Sequence, residues 1–503
     1  MTDHITQDPS DNVDLDALSR KVRADLHTLR YPHAPWVIAH PHESGRHVYD
    51  VVIIGGGQGG LAVAAGLLRE QVENIIVFDR QAAGLEGPWN TTARMPTLRT
   101  LKHLPGIDPS LPNLSPQAWY IARYGQQAWQ TLERISKEDW HEYLTWCSKT
   151  LKLPVRNLVE VSAIVPEGGF FRLAIDELNG NGEVNSRDFI YARRIVLATG
   201  IDGGGAWHVP QFIASALPKG RYASSGDAID FKKLAGKRIA VLGAGASAFD
   251  NASTTLEAGA STATVCIRRD EIQRINPQMW MAKAGFLSHY ADLNDAQKWR
   301  FMRHMFSYNI PAPQSAYDRL TSLPGASIES NAAWQSVKLV SNGDGEEIQI
   351  LTAGGKTLHA DFLIIAIGFT QDFALCPELA HFAKHIALWR NRFSPPNNEH
   401  DSHAGSHPYL GEGFEFTEKN LGDAPYLSRI FNFTYSAIVS MGLSASAISG
   451  FRYSVPRVVR GVTKSLFVED ADELARHFAE YADVEMLGAV PFTNPPKHSQ
   501  KDT

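Results

Sequence analysis

Cysteine is scarce in this sequence. Three residues in 503, Cys147, Cys266 and Cys376, stand far apart and form neither a C-x-x-C pair nor a metal-ligand spacing. A redox-active dithiol on one loop is thereby excluded, as is a cysteine-bound metal. Charge of one sign is lacking too: 48 Lys and Arg against 54 Asp and Glu give a formal net charge of −6, and no basic stripe marks a nucleic-acid surface. Long apolar runs are absent, with none reaching the roughly 18 residues of a membrane span. Met1–Asp16 is polar and acidic, without the apolar centre of a secretion signal. These absences point to a soluble, cytoplasmic protein with no nucleic-acid or membrane partner. Histidines are plentiful, but His400, His403 and His407 stand among Pro, Asn, Gly and Ser, so we expect a solvated loop there and no metal.

Two glycine-rich loops are present. Gly55-Gly-Gly57-Gln58-Gly-Gly60 follows the apolar run Val51–Ile54, and Gly243-Ala-Gly245-Ala246-Ser247-Ala248 follows Ile239–Leu242. Each opens a helix-forming stretch of small residues. A strand, a tight glycine turn and a helix N-terminus together make a dinucleotide-binding unit, the helix end facing a pyrophosphate. One such motif is weak; two in the required context indicate that the chain holds two nucleotides.

The residues after each following strand differ. Ile75–Phe78 ends in Asp79, about 24 residues after Gly55, where an acceptor for ribose hydroxyls belongs. Ala263–Ile267 ends in Arg268 and Arg269, and two guanidinium groups suit a 2′-phosphate. The first unit therefore calls for an unphosphorylated ribose and the second for NADP.

The remainder divides around these units. Leu15–Leu29 has helical apolar spacing and reads as an N-terminal packing arm, and Trp140–Leu151 as a helix. Arg194-Ile-Val-Leu-Ala-Thr199-Gly200 is an apolar strand stopped by a turn. Residues 274–323 are rich in Trp, Met, Phe and His, with a helix expected at Asp295–Tyr308; the segment is either a cap over a pocket or a packing surface. Glu347–Thr352 reads as a strand, and Asp361-Phe-Leu-Ile-Ile-Ala-Ile-Gly368-Phe369 repeats the earlier apolar-strand-and-glycine pattern. Gly442 to Ser446 is expected to begin a long helix aimed at a ring system, and Asn494–Thr503 to fray. The fold class that follows is α/β, with two Rossmann-like domains. We divide the chain into an extension (1–46), a first nucleotide domain (47–207), a second (208–335, carrying the 274–323 insertion) and a return to the first (336–503).

Together, the two loops, the Thr199-Gly200 turn and the Asp361–Phe369 stretch resemble the class B flavoprotein monooxygenases, over most of residues 48–450. Gly87-Pro-Trp89 stands where that superfamily carries G-x-W. The resemblance implies FAD on Gly55, Gly57, Gln58, Gly60, Asp79, Trp89, Thr199, Gly200 and Gly442. It implies NADPH on Gly243, Gly245, Ala246, Ser247, Arg268 and Arg269, and a cofactor contact at the Gly368 turn. It also implies a reaction in which NADPH reduces FAD, dioxygen forms a flavin hydroperoxide, and a small organic substrate takes one oxygen atom. Arg94, Arg99, Thr100 and Lys102, just after Trp89, are the expected catalytic lining. One departure is plain: where relatives carry F-x-G-x-x-x-H, this chain reads Pro218-Lys-Gly220-Arg-Tyr-Ala-Ser224. Losing that histidine argues against ketone oxygenation. An FAD-dependent NAD(P)H oxidoreductase that transfers electrons without inserting oxygen stays open as the alternative, and self-association into a homo-oligomer is left open.

Overall fold

The computed structural model describes residues 12–488, except 202, 309, 344, 446, 484, 486 and 487. The Val48–Ile54 strand is buried on both faces and, apart from Tyr49 and Asp50, aliphatic, as suits the middle of a covered sheet. It lies between Ile75–Phe78 and Val184–Leu197, parallel to both. Val155–Arg156 extends one side. On the other, Ile430–Asn432 returns from far along the chain to pair in parallel with Ile195–Leu197. The outer half of Val184–Leu197 continues into an antiparallel meander with Phe170–Leu178 and Val159–Glu167. The first unit is thus discontinuous in sequence, as expected.

The second sheet is wholly parallel, in the order Ala326–Glu329, Thr262–Cys266, Arg238–Leu242, Phe362–Ile365, Tyr222–Ser224. Its two faces bury separate apolar clusters. One forms around Val241, Phe249 and Leu320, the other around Trp334, Ile348 and Leu363. The second cluster is capped by the antiparallel strands Trp334–Asn342, Gly345–Thr352 and Thr357–Ala360. The sequence-based boundary at residue 335 therefore cuts through this unit: residues 334–365 complete its sheet and its core. Gly205–Trp207 and Phe369–Gln371 pair antiparallel as the two connections between the units.

The N-terminal helix Asn12–Thr28 buries Leu18 and Val22, and Ser19 meets Thr150 and Trp146 of the Lys137–Leu151 helix, as befits a packing arm. Between Pro277 and Ser307 the insertion forms short helices ending in Asp295–Ser307. Their Tyr290, Trp299 and Met302 pack on Trp389, Ile438 and Val439 of the first unit. The solvated-loop expectation fails at His407, which is fully buried between Phe306 and its own turn, its Nδ1–H donating to the His403 carbonyl (2.9 Å). Pro, Asn and Gly around it hid an anchor for the insertion. The long helix begins at Phe451, not at Gly442, where only one 3-10 turn, Gly442–Ala445, forms. Gly442 has φ +76, and a Cβ there would strike the Tyr290 ring, so the insertion rather than a helix start explains it. Ser446 and Asn494–Thr503 lie outside the described residues. Among the described residues no helix is long and apolar enough to cross a membrane.

Candidate functional site

Both glycine loops turn at the carboxyl ends of parallel strands, and they are built alike. Gly55 N–H donates to the Phe78 carbonyl (2.8 Å) and Gly243 N–H to that of Cys266 (3.1 Å). Their φ values are +106° and +147°, and a Cβ on either would collide with the carbonyl oxygen of Ala198 or Ala366 on the neighbouring strand. Only glycine permits these turns. Crowding fixes Gly60 too, because a Cβ there would overlap the Gly55 carbonyl; the second loop accommodates the methyl of buried Ala248 at the matching place.

The middle glycines obey a different rule. Gly57 (φ −70°, ψ −175°) and Gly245 (φ −88°, ψ 176°) have extended backbone that any residue adopts, and they cap the Gln58–Arg69 and Ala246–Glu257 helices. The nearest atom to a Cβ at Gly57 would be Gly87 Cα, and at Gly245 the Ile310 carbonyl, each at an ordinary 3.6 Å. The fold does not require glycine at either position. A ligand that must approach the helix N-terminus does, and a dinucleotide pyrophosphate fits this cradle in shape and charge.

Around the first loop, Asp79 Oδ2 accepts from Gly56 N–H and Oδ1 from Gln81 N–H, both at 2.7 Å. Burial raises its pKa, and these two backbone donors oppose the rise. Gln58 Oε1 accepts from Trp140 Nε1 (3.0 Å), and Trp140 stands edge-on to Trp89. Gly87 brings the Gly87-Pro-Trp89 turn over Gly57. Trp89 Nε1 and Thr199 Oγ1 are buried without a hydrogen-bond partner. At Gly200 (φ +94°) the carbonyl accepts from Tyr435 N–H (3.2 Å). These donors and acceptors suit a flavin nucleotide lying from Asp79 toward Tyr435.

Around the second loop, Ala246 and Ser247 form the first turn of the helix. Arg268 and Arg269 follow the Thr262–Cys266 strand, and neither has an ion-pair partner among the described residues. A dinucleotide on this loop would have its adenosine half toward these arginines and its nicotinamide half toward the ends of Phe362–Ile365 and Tyr222–Ser224, on the other side of the loop. There Ser224 and Ser225 carry buried, unpartnered hydroxyls, and Gly368 (φ +89°) accepts from His208 N–H (3.1 Å). Gly226 lies against the Trp207 indole, which touches Phe369, which in turn touches Tyr435. The end of the second sheet that would face a nicotinamide thus meets the Gly200–Tyr435 end of the first unit.

The four residues expected to line the chemistry fare differently. Arg99 pairs with Asp250 of the Ala246–Glu257 helix (3.1 Å), joining the two units. Lys102 Nζ is spent on the carbonyls of Trp129 and Gln130, and Thr100 is exposed. Arg94 donates to the carbonyls of Thr91 and Asp227, one from each unit. Sequence reading missed Asp250 and Arg319. Asp250 is buried, which raises its pKa against the pull of Arg99, and Arg319 reaches Asp250 (3.5 Å), Glu257 and the Arg94 carbonyl. An acid in the largely buried helix directly after a dinucleotide loop was the one available signal.

The family model described as pyridine nucleotide-disulphide oxidoreductase matches residues 52–284. Cys147, Cys266 and Cys376 are buried and form no disulfide with one another, so no dithiol accompanies that match. An FAD-dependent urate hydroxylase of Xanthomonas campestris pv. campestris is 39% identical over 476 residues, covering 94% of this chain and 98% of its own. In fold, the chain is similar to an ornithine N-hydroxylase of Kutzneria sp. 744 (TM-score 0.64, 16% identity, 83% of this chain and 99% of that one). It is likewise similar to the ornithine hydroxylase of Pseudomonas aeruginosa (TM-score 0.63, 16% identity, 83% and 100%).

Proposed function

The chain belongs to the class B flavoprotein monooxygenases, in the family of the Xanthomonas urate hydroxylase, and from that premise we propose that it hydroxylates urate or a closely related oxopurine. It is an FAD-dependent, NADPH-using monooxygenase that inserts one atom of dioxygen into a small organic substrate. One observation carries the substrate proposal: the similarity to the urate hydroxylase runs through nearly the whole of both chains. It thus spans both loops, the junction and the insertion.

Gly55, Gly57, Gly60 and Asp79 would hold FAD, with Gln58, Trp89, Thr199 and Gly200 around it. Gly243, Gly245, Ala246 and Ser247 would hold NADPH, with Arg268 and Arg269 on its 2′-phosphate. When bound, the pair supplies hydride transfer and oxygen activation. The protein's part is to bring the two ring systems together at the junction and to exclude water there; buried Trp89, Ser224 and Ser225 and the buried hydroxyl of Thr199 would contribute to that dry lining. Overall, NADPH, a proton, dioxygen and substrate become NADP, water and hydroxylated product. A cytoplasmic location and self-association belong to the same proposal, and light scattering on the purified protein decides the second.

The test is NADPH oxidation and oxygen uptake with urate and with neutral heteroaromatics, followed by mass spectrometry of product made under labelled dioxygen. Expected is one labelled oxygen per product and a rate enhanced by urate. Oxidation of NADPH to hydrogen peroxide with no label in any product would return the chain to electron transfer alone.

A further inference from the structure

The basic residues at the junction are not equally neutralised. Arg99 and Arg319 share the Asp250 carboxylate, Arg319 also holds Glu257, and Lys102 caps two carbonyls. Arg94 has no carboxylate partner among the described residues. Its guanidinium donates to the carbonyl oxygens of Thr91 and Asp227 (3.1 Å to the latter) and lies 4.9 Å from the Phe231 ring centroid. Its Nε is buried and unpartnered. Burial lowers its pKa, and no acidic neighbour opposes that. A cation withdrawn from water normally finds an anion, because an unpaired buried charge is costly.

Its position suggests which anion. Thr91 follows the Gly87-Pro-Trp89 turn over the first loop, and Asp227 follows Ser224–Gly226 at the nicotinamide end of the second sheet. Arg94 therefore bridges the two units, tying the segment that covers the first loop to the end of the second sheet where a nicotinamide would lie.

We propose that Arg94 is the receptor for the negative charge of the substrate, making the enzyme selective for a planar heteroaromatic anion over its neutral analogues. The inference rests on the oxopurine substrate proposed above. Urate is a monoanion at neutral pH, and a guanidinium offers it a planar, two-point match of N–H donors to carbonyl and ring-nitrogen acceptors. Arg94 would thus set specificity and orientation. Its contacts to both units couple substrate binding to their registry.

The experiment measures urate binding to the oxidised, FAD-loaded enzyme by perturbation of the flavin spectrum, without NADPH, alongside NADP affinity and FAD content. Arg94→Gln should weaken urate at least about tenfold while leaving NADP affinity and FAD content unchanged. It should also abolish the fall in urate affinity that the wild type shows as urate is protonated. Arg94→Lys, which keeps the charge without the fork, should lose less and retain that pH dependence. Should Arg94→Gln fail to retain FAD, the lysine variant carries the test through its selective loss of urate affinity. Unchanged urate affinity in variants of a urate-hydroxylating enzyme would overturn the inference and leave the substrate proposal standing. Parallel loss of NADP affinity would reassign Arg94 to the cofactor. A wild type that neither binds nor oxidises urate would overturn the substrate proposal and this inference with it.

Discussion

Replacing Gly57 and Gly60 one at a time separates what the first loop does for the fold from what it does for a ligand. At Gly57 the backbone is already extended, and an added Cβ would sit 3.6 Å from Gly87 Cα. Alanine is poorer than glycine as a helix N-cap, which costs some tenths of a kcal/mol, roughly offset by about 0.4–1 kcal/mol from a less flexible unfolded chain. The flavin-free Gly57→Ala protein should therefore melt close to the wild type. Its FAD affinity should not survive, because the methyl points where a pyrophosphate must approach the Gln58–Arg69 helix. Loss of one charge-assisted N–H to phosphate bond, about 1.5–3 kcal/mol, weakens FAD by roughly 10- to 150-fold. Gly60→Ala behaves otherwise: its Cβ would overlap the Gly55 carbonyl, so the turn itself must move. Such overpacking costs about 1–3 kcal/mol and should lower the melting point even without FAD. The assay titrates deflavinated protein with FAD by fluorescence quenching and melts the same samples without FAD. Wild-type FAD affinity in Gly57→Ala, or equal destabilisation of both variants without FAD, would refute the division.

Two further outcomes can be checked directly. An Arg268→Ala, Arg269→Ala double variant loses contacts to a 2′-phosphate worth about 1.5–3 kcal/mol, so the ratio of flavin reduction rates with NADPH and NADH should fall at least about tenfold; an unchanged ratio moves the phosphate elsewhere. Burial holds the His407 pKa at about 3 against an ordinary 6.5, so the folded protein refuses a proton that the unfolded chain accepts. Its contribution is intact above the unfolded value and is lost as pH falls toward the folded one, amounting to about 2 kcal/mol by about pH 5. His407→Phe should flatten the fall of the melting temperature between neutral and mildly acidic pH, and a slope equal to that of the wild type would show that other groups govern it.

The mirror-image loops were legible because everything they need is local. A buried strand, a glycine turn and a helix start lie within about twenty residues, and steric collision at Gly55 and Gly243 leaves no alternative residue. Asp79, Arg268 and Arg269 were readable for the same reason, each standing one strand further on. The Trp334–Ile365 strands were misassigned because strand periodicity does not reveal which sheet a strand joins; the parallel register of Phe362–Ile365 against Arg238–Leu242 does. His407 was misread because its neighbours in sequence are polar and small, whereas Phe306, about a hundred residues away, buries it.

The sequence alone therefore located two nucleotide units, one followed by an acid and the other by two arginines, since those follow from backbone sterics and the order of residues along one βαβ unit. Tertiary structure decided the junction between them. Arg94, Arg99 and Lys102 lie within nine residues of each other and look interchangeable in sequence. Asp250 neutralises Arg99 from 151 positions away, while the end of a nearby helix takes Lys102. Arg94, like Lys102, meets carbonyl oxygens and no carboxylate among the described residues, but its buried Nε is also left without a partner, because pairing of charges depends on which surfaces folding brings together.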